Sequence, residues 1–226
     1  MSYETIDEPF ARPPERTDPG VAGDWSDVPV VVTDVDLGEL SWQWLESAII
    51  DLAGLSFIEI DHCCMKDVTF VNAERTRVAL TASTIEESDL SQLHIDSVTE
   101  SRLNGVKLVG TDFSEASTRD TEFSGCVLWL ANLRMSKFER VAFESCTIDD
   151  VDAYGADFVD VGFNDSALSA FSIDRVTATR VDLRGCTSVG LTAIGRLDGF
   201  LISEHQLYAL APQLARVAGL TIQVES

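Results

Sequence analysis

The segment His62-Cys63-Cys64-Met65-Lys66-Asp67 sets an imidazole beside two thiols, the side chains that ligate zinc. Zinc sites, however, want C-x-x-C or a second distant pair, and this chain has none. The other histidines, His94 and His205, lie in no metal or triad spacing. No Walker loop and no G-x-G-x-x-G occurs. Carboxylates are abundant: Glu139, Glu144, Asp149, Asp150, Asp152, Asp157, Asp160, Asp165 and Asp174 fall in one stretch whose only basic residue is Arg140. Acid chemistry would need some of them buried to raise a pKa, and nothing in the pattern indicates that. No catalytic residue, metal ligand or cofactor is therefore assigned, and the expected protein is not an enzyme.

The elements that carry these residues have an unusual period. From Val98, every fifth position reads Val98, Leu103, Leu108, Phe113, Thr118, Phe123, Leu128, Leu133, Phe138, Phe143, Ile148, Ala153, Phe158, Phe163, Leu168, Ile173, Ala178, Leu183. Two residues before most of these sits something small or β-branched, such as Cys126, Ala131, Ser136, Val141 and Cys146. Helices repeat every 3.6 residues and strands every 2, so neither yields this pattern. A period of five requires a chain that turns a corner once per repeat, with one large and one small residue inward and three facing water. Gly105, Gly110, Gly125, Gly155 and Gly185 fall two places after the large residue, where a corner can need φ > 0.

An earlier frame carries Leu40, Leu45, Ile50, Leu55, Ile60, Met65, Phe70, Leu80, Ile85, Leu90 and Ile95, with Ala48, Ala53, Cys63, Val68, Ala73, Val78, Ser83 and Ser88 as its small slots. Val30 and Val35 would extend it backwards. The frame jumps by three between Ile95 and Val98, which calls for a bulge or small loop. Arg75 interrupts the large series. An unpaired charge does not belong in a narrow dry core, so local distortion is expected there.

The copies "ANLRM" at 131–135, "ADFVD" at 156–160, "TDFSE" at 111–115 and "VDLRG" at 181–185 resemble the pentapeptide-repeat family, whose motif is roughly A-[D/N]-[L/F]-x-x. The resemblance covers about three quarters of the chain. It implies an all-β solenoid: a right-handed quadrilateral β-helix with twenty residues per coil and a C-terminal α-helical cap. On that geometry Cys126, Cys146 and Cys186 stack in one interior column with Ser166. They are small apolar filler, or a redox or metal column.

The expected boundaries are a Pro-rich acidic tail over 1–27, a solenoid over 28–199 and a helical cap over 200–226. About eight coils at ~4.8 Å each make a rod ~40 Å long. Trp42 and Trp44 are expected to cover the N-terminal coil or to stack on a ligand. Ser203 and Gln206 read as a capping box, Pro212 as a kink or the start of a second helix, and Gly219 as a stop. Leu207, Leu210 and Leu214 share an apolar face, either a plain cap or, as the resemblance implies, a homodimer contact.

Lys+Arg is 16 and Asp+Glu is 38, a formal net charge of −22. Such a surface disfavours nucleic acid and anionic membrane and suits a basic partner or plain solubility. No run of eighteen apolar residues argues for a membrane span. The acidic N-terminus lacks a signal-peptide core, and five cysteines make no secreted framework, so a cytoplasmic location is expected. Without the tail, the charge is roughly one per 2.4 Å of rod, against about one per 1.7 Å in B-DNA. The family includes DNA-mimicking, gyrase-interacting fluoroquinolone-resistance members. The resemblance thus implies an acidic rod that binds DNA gyrase through Glu139, Glu144, Asp149, Asp150, Asp157, Asp160 and Asp165. The alternative is a scaffold with an unrelated partner, contacted through outward Trp129, Met135 and Tyr154.

Overall fold

The structure is a computed structural model that describes residues 30–32 and 38–220. Its strands are short and parallel, and each pairs with the strand one coil away. Phe123 lies opposite Phe143 and Phe143 opposite Phe163; Leu128 lies opposite Ile148 and Ile148 opposite Leu168. One coil thus takes 20 residues and stacks each side chain on its equivalent. Phe123, Leu128, Leu133 and Phe138 point inward from four successive sides and are all buried. The first side carries Phe138 and Phe158, the second Phe123, Phe143 and Phe163, the third Leu128, Ile148 and Leu168, the fourth Leu133, Ala153 and Ile173. About eight coils stack in a right-handed solenoid closed by one C-terminal helix, the hand that parallel crossovers favour.

The corners explain the motif. The residue two places after each large one has positive φ: Asp120 51°, Gly125 60°, Leu130 57°, Met135 57°. Twenty-two described non-glycine residues adopt this left-handed conformation, so the corner is set by the coil and not by glycine alone. Gly185, though at a corner position, is not among the positive-φ residues. On the fourth side the motif's Asp/Asn holds the turn. Oδ1 of Asp112, Asn132 and Asp152 accepts from the backbone N–H two residues on, at 2.9, 3.1 and 2.9 Å.

The frame jump is a shortened coil. Val98 lies opposite Leu80 and Leu103 opposite Ile85, 18 residues apart, and the register shifts between Ile95 and Ser97. Arg75 is exposed at a turn, and Thr76 takes the inward place, its hydroxyl donating to the Leu55 carbonyl at 2.8 Å. At the same corner one coil earlier, Leu52 is buried and Ala53 is exposed, so Ala53 is not the small slot. The register places Val32, not Val30, opposite Ile50. Val35 and the 1–27 tail lie outside the described residues.

The core is a ladder of rings. Phe123 and Phe143 stack at 4.9 Å between centroids and 11°, Phe143 and Phe163 at 4.9 Å and 5°. On the first side Ala178 follows Phe158 in register and leaves space. Phe171, which occupies a small slot on the fourth side, fills it, 6.5 Å from Phe158 and 6.3 Å from Phe163.

The last solenoid strand, Phe200–Leu201, leads to the helix Glu204–Val217. Ser203 and Gln206 form the capping box. Gly219, at φ 75°, ends the helix, with Leu220 N–H donating to Ala215 O and Gly219 N–H to Arg216 O, the Schellman pattern. One helix passes through Pro212 rather than two meeting there. The carbonyl that Pro212 cannot serve belongs to exposed Tyr208, where water can replace the bond. Buried Gln206 donates to the Leu183 carbonyl at 2.7 Å, which also accepts from Cys186 N–H at 3.0 Å, so the helix is tied to the last coil.

Candidate partner-binding surface

The reactive side chains do not converge. His62 stacks on Trp42 at 4.1 Å and 13°, with its Nδ1 2.8 Å from Asp61 Oδ1. Cys63 faces inward and donates to the Leu40 carbonyl at 3.2 Å. Cys64 lies on the outer wall beside Trp44. Trp42 and Trp44 therefore line the side of the first coils, not their open end. Among the described residues no three His, Cys, Asp or Glu side chains gather as a metal site. No described helix is long and apolar enough to cross a membrane.

The cysteine column forms as expected from the 20-residue period. Cys126, Cys146 and Cys186 Sγ each donate to a carbonyl 23 residues back, at 3.3, 3.3 and 3.5 Å, and Ser166 Oγ does the same at 3.2 Å. The three cysteines are free thiols. Burial pushes Cys63 up to about 11 and Cys186 up to about 12. The hydrogen bond with Cys126, together with burial, pushes Cys146 up further. The same hydrogen bond shifts Cys126 the other way, but Cys126 and Cys146 are enclosed in the core, so the column packs as small filler.

The acidic residues divide by column. The corner between the first and second sides stacks Asp120, Arg140, Asp160 and Arg180. Arg140 holds Asp120 with two bonds, at 2.6 and 2.8 Å, and also grips Glu139. Arg180 grips Asp160. Arg140 holds the Glu139 carboxyl below its usual range, and Lys137, 3.6 Å away, adds to this. Glu139 and Asp160 are therefore partnered. In the linear sequence Arg140 is the only cation of the stretch, yet Lys137 and Arg180 lie beside it in space. Glu144, on the second side, accepts from Asn164 Nδ2 at 2.8 Å. Asp149, Asp150, Asp157 and Asp165 make no side-chain ion pair or hydrogen bond among the described residues.

The seven carboxylates do not form one patch. Asp157 and Glu139 lie on the first side, Asp160 at its corner, Glu144 on the second, Asp165 at the second–third corner, and Asp149 and Asp150 on the third side and its far corner. The apolar candidates separate too. Trp129, 49% exposed, lies on the third side with Val127 at 39% and Leu130 at 49%. Met135, 60% exposed, sits at the fourth–first corner over Gly155. Tyr154 is half-buried on the fourth side, with the guanidinium carbons of Arg134 and Arg175 at 4.5 and 5.5 Å from its ring centre. It is a packing partner of two arginines, not a free apolar contact. Of the helix residues, Leu210 is 1% exposed and Leu214 packs partly against the core. Both serve the cap, and Leu207 alone faces outward, beside Tyr208.

Val127 and Leu130 join Trp129 because third-side outward slots flank Leu128. Period counting reaches these slots. The Asp120–Arg140 and Asp160–Arg180 pairs need the count of 20, which reading along the chain overlooks.

A five-residue repeat wound into a four-sided β-solenoid defines the fold class. Residues 96–173 match the pentapeptide repeat region, and the chain has the pentapeptide repeat fold. The match begins at the frame jump. The looser first frame, with its exposed Arg75 turn, lies outside it. No curated protein sequence matches significantly. Among solved structures the chain is similar to HetL, a pentapeptide repeat protein involved in heterocyst differentiation regulation from the cyanobacterium Nostoc sp. strain PCC 7120. Identity is 16%, covering 77% of this chain and 90% of that one, with a TM-score of 0.44. It is also similar to full-length QnrB1, a plasmid-mediated fluoroquinolone resistance protein, at 13% identity over 78% and 98% of the two chains and a TM-score of 0.32.

Proposed function

We propose that this protein acts without catalysis, in the cytoplasm, as an acidic rod that binds a basic DNA-binding protein and competes with DNA for its groove. DNA gyrase is the candidate partner, and altered activity or inhibitor sensitivity of that enzyme is the expected consequence. The observation that carries the reading is the charge: −22 over 226 residues, with Asp149, Asp150, Asp157 and Asp165 unpaired among the described residues on a rigid frame. The choice of gyrase rests on the family resemblance in repeat, acidity and helical C-terminus. A homodimer through the outer face of the helix, at Leu207 and Tyr208, belongs to the same reading. Light scattering should report a dimer for the full chain and a monomer for Leu207→Asp; a monomeric full chain removes this part.

A supercoiling assay with purified gyrase and a dose series of the protein tests the function. Dose-dependent inhibition that weakens with salt is expected, as the Debye length falls from about 10 Å at 0.1 M to about 3 Å at 1 M. Absence of inhibition and of binding at low salt would overturn the gyrase assignment. The exposed Val127, Trp129 and Leu130 favour a second reading, a scaffold for another partner.

A further inference from the structure

We infer that the third side of the solenoid is the docking face, and that it takes a basic amphipathic helix of a partner protein. The inference rests on the reading that the chain works by binding a basic partner. Three stacked coils present 125–130, 145–150 and 165–170 here, and these segments contain no Lys or Arg; the coil before them places Lys107 opposite Val127, on the side of the Trp129 coil away from Asp149. Val127, Trp129 and Leu130 expose apolar surface on the first of them. In register on the next coil, Trp129 lies opposite Asp149, and Asp150 follows at the corner above Leu130. Asp165 stands at the opposite corner one coil on. All three carboxylates are unpaired among the described residues. The first side offers the contrast: its carboxylates Glu139 and Asp160 are already held by Arg140 and Arg180.

Charge chooses the occupant. A second copy of this chain carries −22, and its own segment 1–27 has seven acids against two arginines. Both would bring like charge to Asp149, Asp150 and Asp165. A basic partner brings the opposite sign and relieves them. Spacing chooses its form. Coils repeat every ~4.8 Å along the rod, and a helix laid along it repeats its face every ~5.4 Å. An apolar residue over Trp129 and Leu130, followed one turn later by Lys or Arg over Asp149 and Asp150, satisfies both rows.

A synthetic leucine–lysine amphipathic helix, titrated into the full-length protein by calorimetry, tests this, with a scrambled peptide of the same composition as comparison. The amphipathic peptide should bind and the scrambled one bind about tenfold more weakly. Trp129→Ala should weaken binding about tenfold or more, as truncating a central interface tryptophan does. The double change Asp149→Asn with Asp150→Asn should weaken it and flatten its salt dependence, while Asp157→Asn on the first side leaves it unchanged. Unchanged melting curves establish that the variants are folded. Equal binding of both peptides, or binding indifferent to Trp129→Ala, overturns the inference. A benzoylphenylalanine placed at position 129 identifies the occupant. Cross-linking to the peptide supports the proposal; cross-linking to residues 1–27 or to a second copy overturns it. If gyrase is inhibited by wild type and Trp129→Ala alike, the face is wrong and the acidic-rod reading stands. If the peptide binds at Trp129 and no basic protein does, that reading fails and the face stands.

Discussion

Phe143 is the middle ring of the second-side stack, and Phe143→Ala tests the whole inward and outward assignment. The ring touches Phe123 below and Phe163 above, both at 4.9 Å and nearly parallel, and it is 3% exposed. Truncating a buried phenylalanine costs about 3–5 kcal/mol through lost transfer energy and the cavity left behind. Each aromatic pair adds about 0.5–1.5 kcal/mol beyond area burial. Coil stacking holds the backbone at fixed spacing, so the neighbours cannot collapse far into the gap. The upper part of that range, about 5 kcal/mol, is therefore expected, comparable to the whole stability of a modest domain. The next residue supplies the control. Glu144 points outward and accepts one exposed bond from Asn164, so Glu144→Ala should cost less than about 1 kcal/mol. Urea unfolding of both variants reads the difference as a shift in midpoint at constant slope. Equal losses would refute the reasoning, because they would place residues 143 and 144 in equivalent environments.

Gln206→Leu should destabilise by about 1–3 kcal/mol, since Ser203 N–H loses its capping-box acceptor and the Leu183 carbonyl keeps only the Cys186 N–H beneath the helix; a melt unchanged from wild type would show that the helix does not cap the rod through these bonds. Ala170→Gly should stabilise by about 0.5–1 kcal/mol, because Ala170 sits at φ 48° where an L side chain is strained, offset in part by the greater freedom of unfolded glycine; denaturant midpoints check the sign. Thiol ionisation should make the protein less stable at alkaline pH. The folded values of Cys63 and Cys186 are raised to about 11 and about 12, above the unfolded value of about 8.5. The unfolded chain then releases protons first, so the contribution is complete below about pH 8.5 and is lost as pH rises through the folded values. Melting temperatures from pH 8 to 11 should fall, and less so in Cys186→Ser, a change that Ser166 already tolerates in the same column.

Much of the fold is legible because a coil imposes its period on every residue it contains. The large slots from Val98 to Ile173 are buried without exception, and the jump of three appears as an 18-residue coil. The capping box and Gly219 obey local rules that hold in any helix. Other features depend on neighbours 20 residues away. Phe171 breaks the small-slot rule because Ala178, one side further along, leaves a space for it. Leu52 turns inward at a corner that the frame assigns to Ala53 and Leu55, because the turn closed by Leu55 N–H on Leu52 O starts there, as the turn closed by Thr76 N–H on Ala73 O does at Arg75. Asp, Arg, Leu and Met take left-handed corners despite their preferences, since stacked hydrogen bonds such as Leu130 N–H to Asp149 O at 3.1 Å hold the geometry. The candidate site was legible as a list of outward residues but not as surfaces. Trp129, Met135 and Tyr154 look alike in sequence and lie on the third side, a corner and the fourth side.

The column, not the segment, therefore decides what a partner meets. In a helix a charge is answered three or four residues away; here it is answered 20 away, by Arg140 for Asp120 and by Arg180 for Asp160. Net charge overstates the field on the first side, where such pairs cancel; on the third, Asp149, Asp150 and Asp165 have no such partner, and Lys107 lies opposite Val127 one coil before. At physiological ionic strength the Debye length is about 8 Å, less than twice the spacing between coils. A protein seated on one side then senses that side and its corners rather than the total of −22. A mimic of duplex DNA would need its uncancelled charges in rows around the rod. This chain concentrates three on the side that also exposes Trp129 and Leu130. Attraction and apolar burial then act on the same partner at the same place, which favours a directed contact over a general resemblance to a polyanion.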